Sequence, residues 1–294
     1  MTRPVDLSCA AEFKLSITKA LADQLAEKLA PLQPCPLTDE SISSLQSRPG
    51  VYLLSHGNQR VYVGKAQKSL PRRLRNHWNK LRGRENLAIG DMSFVCLYVD
   101  EDLDAAAPEK LLIKRYRQEG DGGGVPWNTN GFGNKDPGRN RDRSEVEANH
   151  FDALYPVRLT FDDLQLVAGL TTVGKLLAEL KAKLPYNLRF EKKDSRALRE
   201  YKNQIEVPDE RFAAEQAISL IIRALPEGWQ ATALPGYLIL YREHVEYPSA
   251  LRWWRRDGDG VVVTNHAMRL APSAEIREIG EDEAGSQDEE DDEG

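Results

Sequence analysis

Two tyrosines and a run of bases are the first residues in this chain whose types and spacing could do chemistry. Tyr52 closes the triplet Gly50-Val51-Tyr52, Tyr62 opens Tyr62-Val63-Gly64, and Lys65 follows directly. Both triplets sit in β-rich runs, VYLLS and RVYVG, that bracket HGNQ. Its Gly-Asn pair is a turn signal, so the two phenols fall on neighbouring strands of a predicted hairpin. Between Arg60 and Arg84 the chain carries nine Lys or Arg and no Asp or Glu. A charged run is ordinarily a solvated helix face, but an uninterrupted one of a single sign marks a surface that meets phosphate. Phenols beside such a field suit the orientation or deprotonation of a water that attacks a phosphodiester.

The elements that must position these groups can be read on either side of the hairpin. Phe13, Ile17, Leu21, Leu25 and Leu29 fall four apart, the stripe of an amphipathic helix that LAPLQPCP stops. This helix is expected to pack on the domain that follows. After the hairpin, Ser69 as N-cap and Pro71 in the first turn predict a helix over 69–82, with Arg73 and His77 one turn apart on a common face. MSFVCLYVD reads as a strand and DAAAPEKLLIKRYRQ as a second helix ending before the glycine-rich EGDGGG. Hairpin, helix, strand and helix make an α+β order, a small antiparallel sheet flanked by helices.

Residues 131–156 are polar and turn-rich and read as a long functional loop or an inserted excursion. From 172 to 242 helices and strands alternate in what looks like a separate α+β module, followed by RWWRRDGDGVVVTNHAM, a hairpin with DGDG at its turn. The expected division is an N-terminal helix in 1–35, a catalytic domain in 36–160, a C-terminal α+β domain in 161–279 and a disordered acidic tail in 280–294. That tail sets the formal charge of −6: residues 281–294 hold nine acids and no base, and the remainder carries 40 Lys or Arg against 37 Asp or Glu. Cys9, Cys35 and Cys96 are far apart with no CxxC pair, so they read as inert packing residues rather than a zinc or redox motif. No apolar run approaches membrane-spanning length and the N-terminus lacks a signal-peptide core, so no membrane partner and a cytoplasmic location are expected.

Taken in order, GVY at 50, YVG at 62, Arg73 and His77 with R-x3-H spacing, Glu109 on the second helix and Asn128 in PWN resemble the GIY-YIG nuclease superfamily. The N-terminal helix, YVGKA, and PWN followed by GFGNKDPGR look like its Eco29kI family of type II restriction endonucleases, over roughly residues 10–158. The resemblance implies cleavage of double-stranded DNA by Tyr52, Tyr62, Arg73, His77, Glu109 and Asn128. Residue chemistry agrees. Cleavage needs a nucleophilic water, neutralised phosphate oxygens and a stabilised leaving oxyanion. Tyr52 is expected to act as base, acidified by Lys65 and Arg73, while Tyr62 positions water or phosphate. The Arg73 fork suits two phosphate oxygens. His77 would contact phosphate or relay a proton. Glu109, the lone carboxylate, is the expected ligand of Mg²⁺, with Mn²⁺ as a substitute, although an acid in a first helical turn is also favoured by the helix dipole. Asn128 would bind phosphate or hold the tyrosine network. EGDGGGV lengthens the span before it, which keeps Asn130 open as an alternative.

One such site cuts one strand, so cutting both strands of a palindrome calls for a two-fold homodimer, which the resemblance also implies. Base reading needs Arg, Lys, Asn or Asp in the major groove, and GNKDPGRNRDR supplies Asn134, Lys135, Arg139, Asn140, Arg141 and Arg143, which could equally touch phosphates. Lys65 and Arg72 are further DNA contacts. The related enzymes act on CCGCGG, and a cognate DNA methyltransferase is a companion to look for. Two other readings stay open: a nicking or repair nuclease of relaxed specificity, and a DNA-binding regulator built on an inactive nuclease fold. In RWWRR, tryptophans stacking on bases or a partner compete with the commoner buried-core explanation.

Overall fold

The computed structural model describes residues 16–99, 108–117, 124–134, 138–209 and 211–273; Phe13, Cys9, Lys135 and the acidic tail lie outside the described residues. Ser16 caps α1 (Ile17–Leu29) by accepting from Lys19 N. There follow β1 (Cys35–Pro36), α2 (Asp39–Ser43), β2 (Gly50–His56), β3 (Gln59–Ala66), α3 (Leu70–Arg82), β4 (Met92–Tyr98) and α4 (Pro108–Arg117). The hairpin turns at Gly57, whose φ of 57° is the left-handed region a two-residue turn requires. Ser69 caps α3 as its position predicts, accepting from Arg72 N. The strands form one antiparallel sheet in the order β1-β4-β2-β3.

Strand alternation divides the packing of this sheet. Tyr52, Leu54 and Tyr62 face α3, where Leu70, Leu74 and Leu81 are fully buried. Val51, Leu53 and Val63 face the other way, against Leu25 and Leu29 of α1 and Leu112 and Tyr116 of α4. Arg115 pairs with Asp23 at 2.7 Å across those two helices. The N-terminal helix therefore does pack on the domain after it, covering the sheet face opposite the tyrosines.

After 3₁₀ turns at Pro126–Asn128 and Arg139–Arg143 come β5 (Val146–Glu147) and α5 (Phe151–Leu154), so the 131–156 stretch is partly built into short elements. The second half runs β6 (Gly169–Thr172), α6 (Val173–Lys183), β7 (Asn187–Phe190), α7 (Ser195–Glu200), β8 (Gln204–Val207), α8 (Ala214–Ala224), β9 (Gln230–Ala233), β10 (Tyr237–Tyr241), β11 (Arg252–Asp257), β12 (Gly260–Asn265) and β13 (Leu270–Ala271). Its main sheet has the order β12-β11-β9-β10-β7, with β10 and β7 parallel. Leu176, Leu177 and Leu180 of α6 and Ile218, Ile221 and Ile222 of α8 bury against it, and Val157 already belongs to this second core. Trp254 of RWWRR is a core residue, while Trp253 is half-buried with the Arg255 guanidinium 3.8 Å over its ring. β13 returns to pair with β5, tying the chain's described end to the segment before α5. Among the described residues no helix is long and apolar enough to cross a membrane.

Candidate active site

A glycine explains how the hairpin holds its first tyrosine. Tyr52 and Gly64 are cross-strand partners, and a Cβ added at Gly64 would lie 2.2 Å from the Tyr52 hydroxyl. The phenol lies flat across the strand at the one position without a side chain, and the second triplet needs its glycine for that reason. So held, the Tyr52 hydroxyl meets α3: it is 2.6 Å from His77 Nε2 and accepts a hydrogen bond from Arg73 Nε at 3.3 Å. The helical period sets Arg73 and His77 on the face toward the sheet. The Tyr62 ring lies 6.2 Å from that of Tyr52 and 5.5 Å from His77.

The site is dry. Tyr52 is 0% exposed, Tyr62 4% and His77 5%. Phe132, from the GFG stretch, closes it: its ring stacks on His77 at 5.0 Å and meets Tyr62 edge-on at 4.9 Å. Lys80 donates to the Phe132 carbonyl and sits over the same ring. Gly131 allows this approach, with φ of 87° and no room for a Cβ beside the His150 ring. Burial, then the nearby Arg73 and Lys80 cations, hold the His77 pKa well below 6.5. The imidazole is therefore neutral at pH 7. Neither Phe132 nor Lys80 is among the expected site residues; the paired glycines around Phe132 are the signal available in the sequence.

Asn128 grips the second tyrosine strand. Its Oδ1 accepts from Val63 N at 2.9 Å and its Nδ2 donates to Val63 O at 2.8 Å, so the amide clamps β3 between Tyr62 and Gly64. Asn130 instead uses its backbone, accepting from Phe151 N. Of the two candidates it is Asn128 that touches the tyrosine hairpin.

Glu109 lies in the first turn of α4 with its Oε2 shut off from solvent. α4 packs on the sheet face opposite Tyr52, where it also contacts β3. A carboxylate oxygen is a hard donor of the kind that a divalent cation takes. Among the described residues no three His, Cys, Asp or Glu gather as a metal cluster. A cation here would thus have one carboxylate and otherwise water, a donor set suited to Mg²⁺. Lys65 pairs across the hairpin with Val51 and shares that face of the sheet, whereas Arg73, the other expected cation, donates to the phenol.

The remaining basic residues divide as the sequence alone does not show. Arg75 pairs with Asp39 at 2.9 Å, Arg82 with Asp163 at 3.0 Å and Arg84 with Asp152 at 2.8 Å, while Arg60 lies 3.7 Å over Tyr116. Part of the one-sign run is neutralised by acids from elsewhere in the chain. Arg139, expected to read bases, is turned to the C-terminal domain: it pairs with Glu243 at 3.3 Å and Glu191 at 3.8 Å and lies 4.3 Å over Tyr241. Arg141 contacts His150 Nε2 at 3.1 Å, whereas Asn134, Asn140 and Arg143 are exposed. Arg72 is half-buried in the first turn of α3.

An antiparallel sheet whose hairpin brings two tyrosines beneath one histidine, with helices on both faces, has the architecture of a GIY-YIG nuclease domain. Residues 53–179 match the model of the family described as Eco29kI GIY-YIG domain, which shows a GIY-YIG domain over this part of the chain. The match begins one residue past Tyr52 and extends into α6. The chain is also 25% identical over 155 residues to UvrABC system protein C of Thermosipho africanus (strain TCF52B), an alignment covering 49% of this chain and 28% of that protein.

Proposed function

We propose that this protein is a sequence-specific endonuclease that hydrolyses phosphodiester bonds in double-stranded DNA. The observation that carries this reading is the Tyr52 hydroxyl held between His77 Nε2 and Arg73 Nε inside a nuclease domain. Arg73 can only donate, so the phenol oxygen accepts from it, and the phenol proton is directed at the neutral His77, which requires the tautomer carrying hydrogen on Nδ1. As the proton moves toward His77, the Tyr52 oxygen becomes the base that takes a proton from the attacking water. The growing phenolate is stabilised by the Arg73 guanidinium, a planar fork that also suits phosphate oxygens. The P–O bond to the leaving sugar oxygen breaks as the water oxygen bonds to phosphorus. Tyr62 orients the water or the phosphate, and Asn128 keeps Tyr62 in place through Val63. Glu109, carried by α4 on the sheet face opposite the Tyr52 hydroxyl, would hold Mg²⁺, or Mn²⁺ in its place, and the bound cation would supply positive charge to the phosphate.

Tyr52, Tyr62 and His77 are nearly shut off from solvent, so DNA engages this site by displacing the Phe132 cover or through Arg73, which is half-buried. Cutting both strands calls for two copies, and we read the active form as a homodimer on a GC-rich palindrome such as CCGCGG, protected in the cell by a cognate methyltransferase. Purified protein incubated with Mg²⁺ and supercoiled plasmids tests the reading: discrete fragments are expected. Nicked circles or a smear would support a nicking nuclease of relaxed specificity, and intact plasmid would support a DNA-binding regulator.

A further inference from the structure

We propose that the cleft between α3 and the C-terminal domain carries the phosphate backbone of a DNA duplex, with Lys181 and Lys183 of α6 as its far wall. The choice of DNA rests on the nuclease reading above; the placement of the wall rests on the cleft itself. The cleft has a volume of about 1170 Å³ and runs from Arg73 and His77 along α3 to the end of α6 and Asn187. A phosphate held by Arg73 therefore has its neighbours along the strand inside this cleft. Among the described residues lining it, seven are basic and three acidic. Each of the three acids is held by an arginine: Asp152 by Arg84, Asp163 by Arg82 and Asp142 by Arg189. Amide side chains, including Asn76 and Asn187, add neutral donors of the kind that bind phosphate oxygens.

A second cleft argues against a mere accident of surface shape. It has the same volume but lies on the opposite face of the nuclease sheet, near α1 and α4, and its lining balances Asp23 and Glu27 against Arg60 and Arg115. Of the two, the cleft at the site is the one whose described lining carries a surplus of positive charge, and charge is what draws a duplex.

The far wall is fixed relative to the site. Arg158 N donates to Gly83 O at 2.8 Å, Glu85 N to Pro156 O at 2.7 Å and Val157 N to Pro235 O at 2.9 Å, so backbone bonds join the end of α3 to the C-terminal domain. A Cβ at Gly83 would lie 2.3 Å from Pro185, so the two halves meet in contact. At the rim, Asp142 is 1% exposed and accepts from Tyr237 Oη at 2.8 Å and from Arg189, which pins the 139–143 turn to the C-terminal sheet. Lys181 and Lys183 also have local roles at the end of α6, with Lys183 on Glu179 and Lys181 on Leu188 O. Lys181 is nonetheless exposed, and both line the cleft.

Binding of a 30-base-pair duplex, measured with a chelator present so that no cleavage is needed, tests the wall. The Lys181→Ala/Lys183→Ala pair is expected to bind roughly three- to tenfold more weakly, with the slope of log affinity against log salt reduced by about one to two. Lys181→Ala alone, at an exposed position, should show the smaller part of the same change with an unaltered melting midpoint. As an independent measurement, acetylation of Lys181 in the wild-type protein should fall when the duplex is bound. Unchanged affinity and slope in both variants, with Lys181 acetylated equally with and without DNA, overturns the proposal. If that happens in a protein that still cuts plasmid, the wall falls and the nuclease reading stands. A protein that cuts no plasmid but loses salt slope in the variants gives the reverse result.

Discussion

α3 and the Arg139–Arg143 turn are both rich in arginine, yet the fold uses them differently. In α3 the two groups at the site, Arg73 and His77, point into the sheet and meet Tyr52, while Arg75, Arg82 and, just past the helix, Arg84 pair with Asp39, Asp163 and Asp152. In the turn, Arg139 and Asp142 attach to the C-terminal domain, leaving Arg141 and Arg143 nearer the cleft side and solvent. Local charge density thus says little about which arginine meets phosphate. What separates the two is the partner each one has: Arg73 is aimed at a buried phenol, while Arg139 is stacked on Tyr241 between two glutamates.

The sharpest way to break this contrast is to remove the groups proposed to be catalytic. Tyr52→Phe and Glu109→Ala should each lower plasmid cleavage by roughly 10²–10⁴-fold with duplex binding retained, read by gel assay and a binding titration. Arg73→Lys should lose most of the activity because the planar fork is gone, whereas Arg139→Lys should cut within a few-fold of wild type. Equal loss in the two would sink the distinction between them. Gly64→Ala tests the hairpin: the added methyl pushes the Tyr52 hydroxyl away, costing about 1–3 kcal/mol in urea unfolding together with activity. Alanine at Gly90, where a Cβ meets nothing, should leave both unchanged.

Smaller effects come from titration. His77 is held neutral, so its folded pKa lies below the unfolded value of 6.5. Below pH 6.5 the unfolded chain binds the extra proton first, and stability falls as the pH drops from 6.5 toward the folded pKa, by at most about 1.4 kcal/mol per pH unit. Thermal unfolding at pH 8, 7, 6 and 5 should show a shallower decline in His77→Gln. The smallest change expected is in Arg139→Ala, an exposed pair worth about 1 kcal/mol or less in stability.

Much of the first half is legible in the amino-acid string. The turn at Gly57-Asn58, the Ser69 cap, and the spacing of Arg73 and His77 are local, depending on backbone preferences within a few residues. The helices and strands of the C-terminal module are legible for the same reason: α6 and α8 carry clear apolar faces. What the string misplaces involves distance. Its order sets Lys65 beside the phenol, but strand alternation turns that lysine to the other face. Phe132 closes over His77 from 55 positions further along the chain, and no periodicity links them.

By itself, the sequence determined the chemical inventory: two phenols on a hairpin, a guanidinium and an imidazole one helical turn apart, a lone acid at a helix start, and the element types that carry them. These follow from short-range sterics and residue chemistry, which a linear string records directly. Only the tertiary structure decided that Tyr52 lies across Gly64 into the grip of Arg73 and His77, that Asn128 clamps Val63, and that distant aspartates neutralise part of the basic run. Those outcomes come from packing and charge pairing between segments tens of residues apart, and the solution is settled only when both cores close around them.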